Sequence, residues 1–152
     1  MKIATWNVNS VRARLERLLA WLQKEQPNIV CLQELKARED VFPYDAIREA
    51  GYHAAVFGQK TFNGVGIMSR IEPQNVRRGM DDGVEDPQAR FIAVRVGEIE
   101  VVSAYIPNGQ VVGSDHYAYK LDWLRRLRAF LERHFTPRDA RRALRRLQRG
   151  PR

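Results

Sequence analysis

The sequence predicts an α/β fold built as one domain. Three features carry that reading: a strand–helix–strand alternation over residues 2–33, four later β-rich segments separated by turn residues, and one long amphipathic helix ahead of Pro137. The first segment, Lys2 to Val8, mixes β-branched and aromatic residues and then runs into Asn-Ser. Asn9 or Ser10 can cap a helix whose apolar positions are Val11, Leu15, Leu18, Leu19 and Leu22. Pro27 closes that helix, and Asn28 to Gln33 forms a second apolar strand ending in Glu34. Two neighbouring strands joined by a helix run parallel, so their C-terminal residues, Asn7 and Glu34, are expected at one sheet edge, where α/β proteins tend to bind ligands.

A short helix near Pro43–Ala50 follows. Strands are then expected at His53–Gly58, Val65–Ser69, Phe91–Val96 and Glu100–Ile106. Asn63-Gly64 has the chemistry of a tight turn, Gly79–Pro87 reads as an acidic loop, and Pro107-Asn108-Gly109 ends the last strand. The final helix is expected from His116 to about Phe135, with Leu121, Leu124, Leu127, Phe130 and Leu131 on its apolar face. No internal repeat or linker suggests a second domain.

The chain has 152 residues, 44% of them hydrophobic, enough for one buried core. It has neither an apolar run of membrane-spanning length nor a signal-peptide-like start, so the expected setting is cytoplasmic. The one cysteine, Cys31, lies in the apolar run IVCL and is expected in the core. A net charge of +8 points towards nucleic acid, yet residues 138–152 hold seven Arg against one Asp. The rest of the chain is close to neutral.

Glu34 is the foremost candidate for chemistry, because a carboxylate at a strand end can hold a hard divalent cation. An ordinary solvated glutamate is the alternative. The amide of Asn7 could ligate or orient, or simply shape a turn. Tyr105 could hydrogen-bond a phosphate, and Arg90 could pair with one. Lys36, Lys60 and Asn63 lie in loops, where recognition residues often sit.

The stretches KIATWNVNSVRARL, IVCLQELK, FNGVGIMSR, DPQARFIAV, YIPNG and GSDHYAYKLDWL occur in this order. Over residues 1–140 the chain resembles the exonuclease III family of the endonuclease/exonuclease/phosphatase superfamily. The resemblance implies the N-terminal half of a two-sheet α/β sandwich of DNase I-like type, present here as one mixed sheet with flanking helices. It implies a DNA repair phosphodiesterase that cuts abasic sites and removes nucleotides from 3′ ends, with Mg²⁺ (Mn²⁺ as the alternative) as cofactor. Double-stranded DNA is the implied partner, with no membrane and no protein partner. Glu34 and Asn7 are then the expected metal ligands. Tyr105 is expected against the scissile phosphate, and Lys36, Asn63, Arg90 and Asn108 along the DNA groove. Ser114-Asp115-His116 is a decoy: the family's catalytic histidine lies in an SDHxP motif, whereas Tyr-Ala-Tyr-Lys follows here. His116 is therefore expected as a surface residue, and His53 and His134 match no catalytic position.

The family's later motifs, including one close to CGDFNVAP, do not occur. The departure starts after Ala140, dividing the chain into 1–140 and an Arg-rich 141–152. Leu144–Arg152 can be encoded as CTG CGG CGA CTT CAA CGT GGC CCC CGA. Read from its second base, that DNA gives Cys-Gly-Asp-Phe-Asn-Val-Ala-Pro. The expectation is that residues 141–152 are out-of-frame translation, with a basic helix through Ala143, Leu144 and Leu147 as runner-up. As written, the chain is expected to be nearly inactive and poorly soluble, with a sheet face left uncovered. The alternatives are a noncatalytic DNA-binding fragment using the Arg-rich segment, or a superfamily phosphoesterase with another substrate.

Overall fold

A computed structural model describes residues 1–135 and the backbone of a strand at Arg142–Arg146. The chain forms four layers: helices, sheet, sheet, helix. The first sheet holds β1 (Ile3–Asn7), β2 (Ile29–Gln33), β3 (His53–Phe57) and β4 (Val65–Ser69) in the order β1-β2-β4-β3. The second holds β5 (Gln74–Arg78), β6 (Phe91–Val96), β7 (Ile99–Tyr105) and β8 (Arg142–Arg146) in sequence order. β1 runs parallel to β2, with Asn7 opposite Gln33. β4 is antiparallel to both β2 and β3. β8 lies parallel to β7.

This corrects the expectation of one mixed sheet: the described chain already contributes strands to both sheets. Alternation explains how the layers pack. Val30, Leu32, Val56 and Met68 turn outward and pack under α1 (Leu15–Glu25) and α2 (Tyr44–Glu49). Ile29, Cys31, Ala55, Val65 and Ile67 turn inward and meet Ile92, Val94, Val96 and Val101 of the second sheet. The outer face of the second sheet, including Phe91, Val102 and Ala104, is covered by α3 (Asp115–His134). The expected uncovered face is thus filled by the second sheet. At the edge, β1 leaves Thr5 exposed.

Several local expectations shift. Ser10 caps a turn, its Oγ accepting from the Ala13 N–H at 3.3 Å, and α1 starts only at Leu15. The buried stripe of α3 is Trp123, Leu127 and Phe130, whereas Leu121 is 37% exposed. Those three positions recur at helical spacing, and Phe130 packs edge-on to Phe91 of β6 with ring centres 4.7 Å apart. β5 was not expected, since QNVRR has no apolar alternation. It is an edge strand that borrows its order from β6, with a register break between Gln74 and Arg77. Arg142–Arg146 is a strand, not the runner-up helix, because the β7 edge offers a full row of backbone partners. The division at 140/141 and the rest of the Arg-rich segment lie outside the described residues. No described helix is long and apolar enough to cross a membrane.

Candidate active site

β1, β2 and β7 end at the same rim of the sandwich, and their last side chains create the site. Gln33, on the inner face of β2, looks across at the second sheet. Continued alternation would send Glu34 outward, under the helices. Instead Glu34 adopts φ 53°, followed by Lys36 at φ 52°, and the strand pattern breaks. The carboxylate is thereby turned towards the inner rim. Backbone hydrogen bonds hold this conformation from both sides: Ser10 and Val11 N–H groups donate to the Glu34 and Leu35 carbonyls, at 2.8 and 3.0 Å. The Leu35 and Lys36 N–H groups donate to the carbonyls of Gly64 and Asn63, at 3.1 and 2.9 Å. Non-glycine residues at positive φ cluster here, as they tend to at functional sites.

Three side chains converge on Glu34. Asn7 Nδ2 donates to its Oε1 at 3.0 Å. Tyr105, at the end of β7, donates its phenolic O–H to the same oxygen. Lys36 Nζ lies 3.8 Å from Oε2. Around them opens a cleft of about 460 Å³ lined by Glu34, Lys36, Asn63, Arg90, Tyr105 and Asn108. Six of the eight residues singled out from the sequence therefore share one surface, and a seventh, Asn7, reaches it through Glu34. Lys60 is exposed and outside the lining.

Arg90 is held rather than free to swing. Its Nε donates to Gln88 Oε1 at 2.7 Å and its Nη1 to the Tyr105 carbonyl at 3.3 Å. Its guanidinium lies 4.8 Å over the Tyr105 ring, a cation–π contact. Burial pulls the Arg90 pKa below the usual arginine value, opposed by Tyr119, Tyr105 and Asp86. Asn63 is nearly buried and donates to Gln59 Oε1 at 3.1 Å. The same Gln59 oxygen accepts the Ala89 N–H at 3.0 Å, so one side chain ties the β3–β4 loop to the start of β6. Gln59, Phe62, Gln88, Gln110 and His116 also line the cleft, and sequence reasoning missed their place there. Phe62, Gln88 and His116 sit inside the quoted stretches FNGVGIMSR, DPQARFIAV and GSDHYAYKLDWL; Gln59 and Gln110 gave no pattern. His116 is exposed, as expected, but on the cleft rim.

The donor set suits a hard cation. Mg²⁺ is commonly held through one or two carboxylates, with water and phosphate oxygens completing its shell. Glu34 supplies the carboxylate. Asn7 faces it with its amide Nδ2, while Asn7 Oδ1 accepts the Asn9 N–H at 3.1 Å. In this arrangement the Asn7 amide orients the Glu34 carboxylate. Among the described residues no group of three or more His, Cys, Asp or Glu could hold a metal ion.

A larger cavity, 640 Å³, lies under the acidic loop beside Phe57, Met80, Phe91 and Trp123. Its Arg126 is consumed by Asp82 and Asp86 at 2.6 and 3.0 Å. The loop is clasped to α3, and the convergent chemistry lies in the smaller cleft.

Known proteins resemble this chain in sequence and in fold. The chain is 37% identical to exodeoxyribonuclease III of Haemophilus influenzae over 114 residues, 72% of this chain but 43% of that protein. A 3′-5′ exonuclease from Neisseria meningitidis superposes with TM-score 0.91 at 40% identity, over 95% of this chain and 57% of its own. An AP endonuclease from Archaeoglobus fulgidus gives TM-score 0.86 at 40% identity, over 90% of this chain and 52% of its own. The chain thus spans about half the length of the relatives it matches. The family model described as the endonuclease/exonuclease/phosphatase family matches residues 4–149, across both sheets and the strand ends that carry Glu34 and Tyr105. The chain belongs to the endonuclease/exonuclease/phosphatase family.

Proposed function

We propose that the cleft is the Glu34 half of a site that hydrolyses DNA phosphodiesters, on duplex DNA with abasic sites or 3′ ends. The observation that carries this reading is the convergence of Tyr105, Asn7 and Lys36 on one carboxylate, on a cleft lined by Arg90, Asn63 and Asn108. Relatives named as an exodeoxyribonuclease and an AP endonuclease support the substrate class.

Glu34 would hold the divalent cation, Mg²⁺ with Mn²⁺ as the alternative; when bound, it supplies charge stabilisation to a phosphoryl oxygen. Asn7 fixes the carboxylate's orientation. Tyr105 keeps a phenolic proton at the mouth of the cleft, next to where a phosphate oxygen would sit. Lys36 and Arg90 supply positive charge to the DNA backbone. Glu34 is the one carboxylate in the described lining, so with the cation held there no second carboxylate in that lining activates water. The 152-residue chain by itself therefore supports little or no turnover.

The test uses the purified chain and a duplex containing one abasic site, with Mg²⁺ or Mn²⁺ and with a chelator. Metal-dependent binding is expected, with its metal dependence lost in Glu34→Ala, its affinity lowered in Arg90→Ala, and at most trace cleavage. DNA affinity indifferent to metal and to both substitutions, but abolished by removing residues 141–152, would instead favour a noncatalytic fragment acting through its Arg-rich segment. Efficient hydrolysis of a non-nucleic-acid phosphoester would move the substrate elsewhere in the family.

A further inference from the structure

Directly beneath the cleft, polar side chains enter the otherwise mostly apolar space between the described sheets. Gln33 is wholly buried there, next to Glu34, and so is Ser103, two residues before Tyr105 on the same face of β7. Gln33 Nε2 donates to Ser103 Oγ at 3.2 Å, and Ser103 Oγ donates to the Leu32 carbonyl at 3.1 Å. Gln33 Nε2 also donates to Thr5 Oγ1 on β1 at 3.0 Å. One amide therefore joins the three strands β1, β2 and β7, whose ends carry Asn7, Glu34 and Tyr105. No buried side-chain nitrogen or oxygen among the described residues lacks a partner.

Apolar contacts between two sheets hold them together without fixing their lateral register, because dispersion and hydrophobic burial are not directional. Hydrogen bonds are directional, and a fully satisfied buried network can specify one arrangement. The Tyr105 phenol reaches Glu34 across the same interface, one to two residues further along each strand. A slide of about 1 Å between the sheets is enough to separate that pair.

We propose that Gln33 is a positioning residue for the Glu34–Tyr105 pair, setting through Ser103 the register of the two sheets beneath the cleft. Its structural part stands on the geometry; its bearing on cation binding rests on the function proposed above.

The test compares the full chain with Gln33→Met, similar in length but apolar, and with Ser103→Ala, which removes a single oxygen. The first readout needs no metal: NMR of the Asn7 side-chain amide and the Glu34 carboxyl carbon. Both resonances are expected to move in each variant, while those of α1 and α3 stay in place. The second is calorimetric Mg²⁺ affinity, expected to fall roughly tenfold, as for loss of a group that orients a metal ligand. The effects of the two substitutions on affinity should not add, because they break the same hydrogen bond. A cooperatively folded Gln33→Met protein with unchanged Asn7 and Glu34 resonances overturns the proposal. If that variant fails to fold, unchanged resonances in Ser103→Ala overturn it equally. Absent Mg²⁺ binding by the unsubstituted chain removes the proposed function and leaves the resonance shifts to decide the positioning role.

Discussion

Replacing Arg126 by Met should loosen the acidic loop from α3 and show how much a clasp of charges contributes to this fold. Arg126 donates from Nε to Asp82 Oδ2 at 2.6 Å, from Nη2 to Asp82 Oδ1 at 3.2 Å and from Nη1 to Asp86 Oδ2 at 3.0 Å. The three side chains are only 12–13% exposed. Breaking a buried pair by removing one partner costs about 3–5 kcal/mol, because the other charge is left unpaired. Here the carboxylates keep other donors, the Val84 N–H on Asp82 and Tyr119 O–H on Asp86. The low end, roughly 3 kcal/mol, is therefore expected, or a fall in Tm of roughly 6–12 °C for a chain of this size. The loss must depend on pH with a definite sign. Arg126 holds the Asp82 pKa below its ordinary 3.8, first through their hydrogen bond, with burial opposing. Stability from a depressed carboxylate is present above the unfolded value and disappears as pH falls through the folded one. Thermal melts of both proteins should thus differ most near about pH 7 and converge as pH drops below about 4. An equal Tm loss at both ends of that range would mean that Arg126 acts by packing its stem. A loss under about 1 kcal/mol would mean that the pair behaves as a solvated surface bridge.

Ser114→Ala should cost about 1 kcal/mol, read as a Tm lower by roughly 2–4 °C, since the Ser114 hydroxyl caps α3 by accepting the Tyr117 N–H at 3.2 Å. Gly64→Ala should cost about 1–3 kcal/mol in urea unfolding, because Gly64 has φ +91° and an added Cβ would meet the Leu35 Cβ at 3.0 Å. Gly97→Ala, at positive φ but in open space, should cost less, and equal losses would remove the steric part of that account. Burial pushes the Cys31 thiol up to about 12. It should resist a disulfide reagent until the protein unfolds, and an immediate stoichiometric reaction in native buffer would contradict its place in the core. Because that raised value stabilises only below the ordinary thiol pKa of 9.0, stability should also decline above about pH 9, less so in Cys31→Val.

Periodicity and turn chemistry made most elements readable from the sequence, because each is a local property. β4 and β6 lie where the short apolar runs placed them, and α3 starts within a residue of its expected position. The residue types at the strand ends, with the quoted family stretches, also singled out Glu34, Tyr105 and the groove residues. Other features depended on neighbours distant in sequence. β5 and the strand at Arg142–Arg146 are polar segments ordered by the edges they pair with. Division into two sheets follows from which apolar faces meet, which alternation alone leaves open. Leu121 misses the buried stripe because about 3.6 residues per turn place it about 120° around α3 from Leu127. At the site, the strand pattern by itself turns Glu34 away from Tyr105. The positive φ at Glu34, held by the turns at Ser10–Val11 and Asn63–Gly64, turns it back. The sequence by itself determined which residues stand at the rim; only the tertiary structure decided that they meet, because a left-handed residue and a buried inter-sheet hydrogen bond depend on contacts between distant parts of the chain.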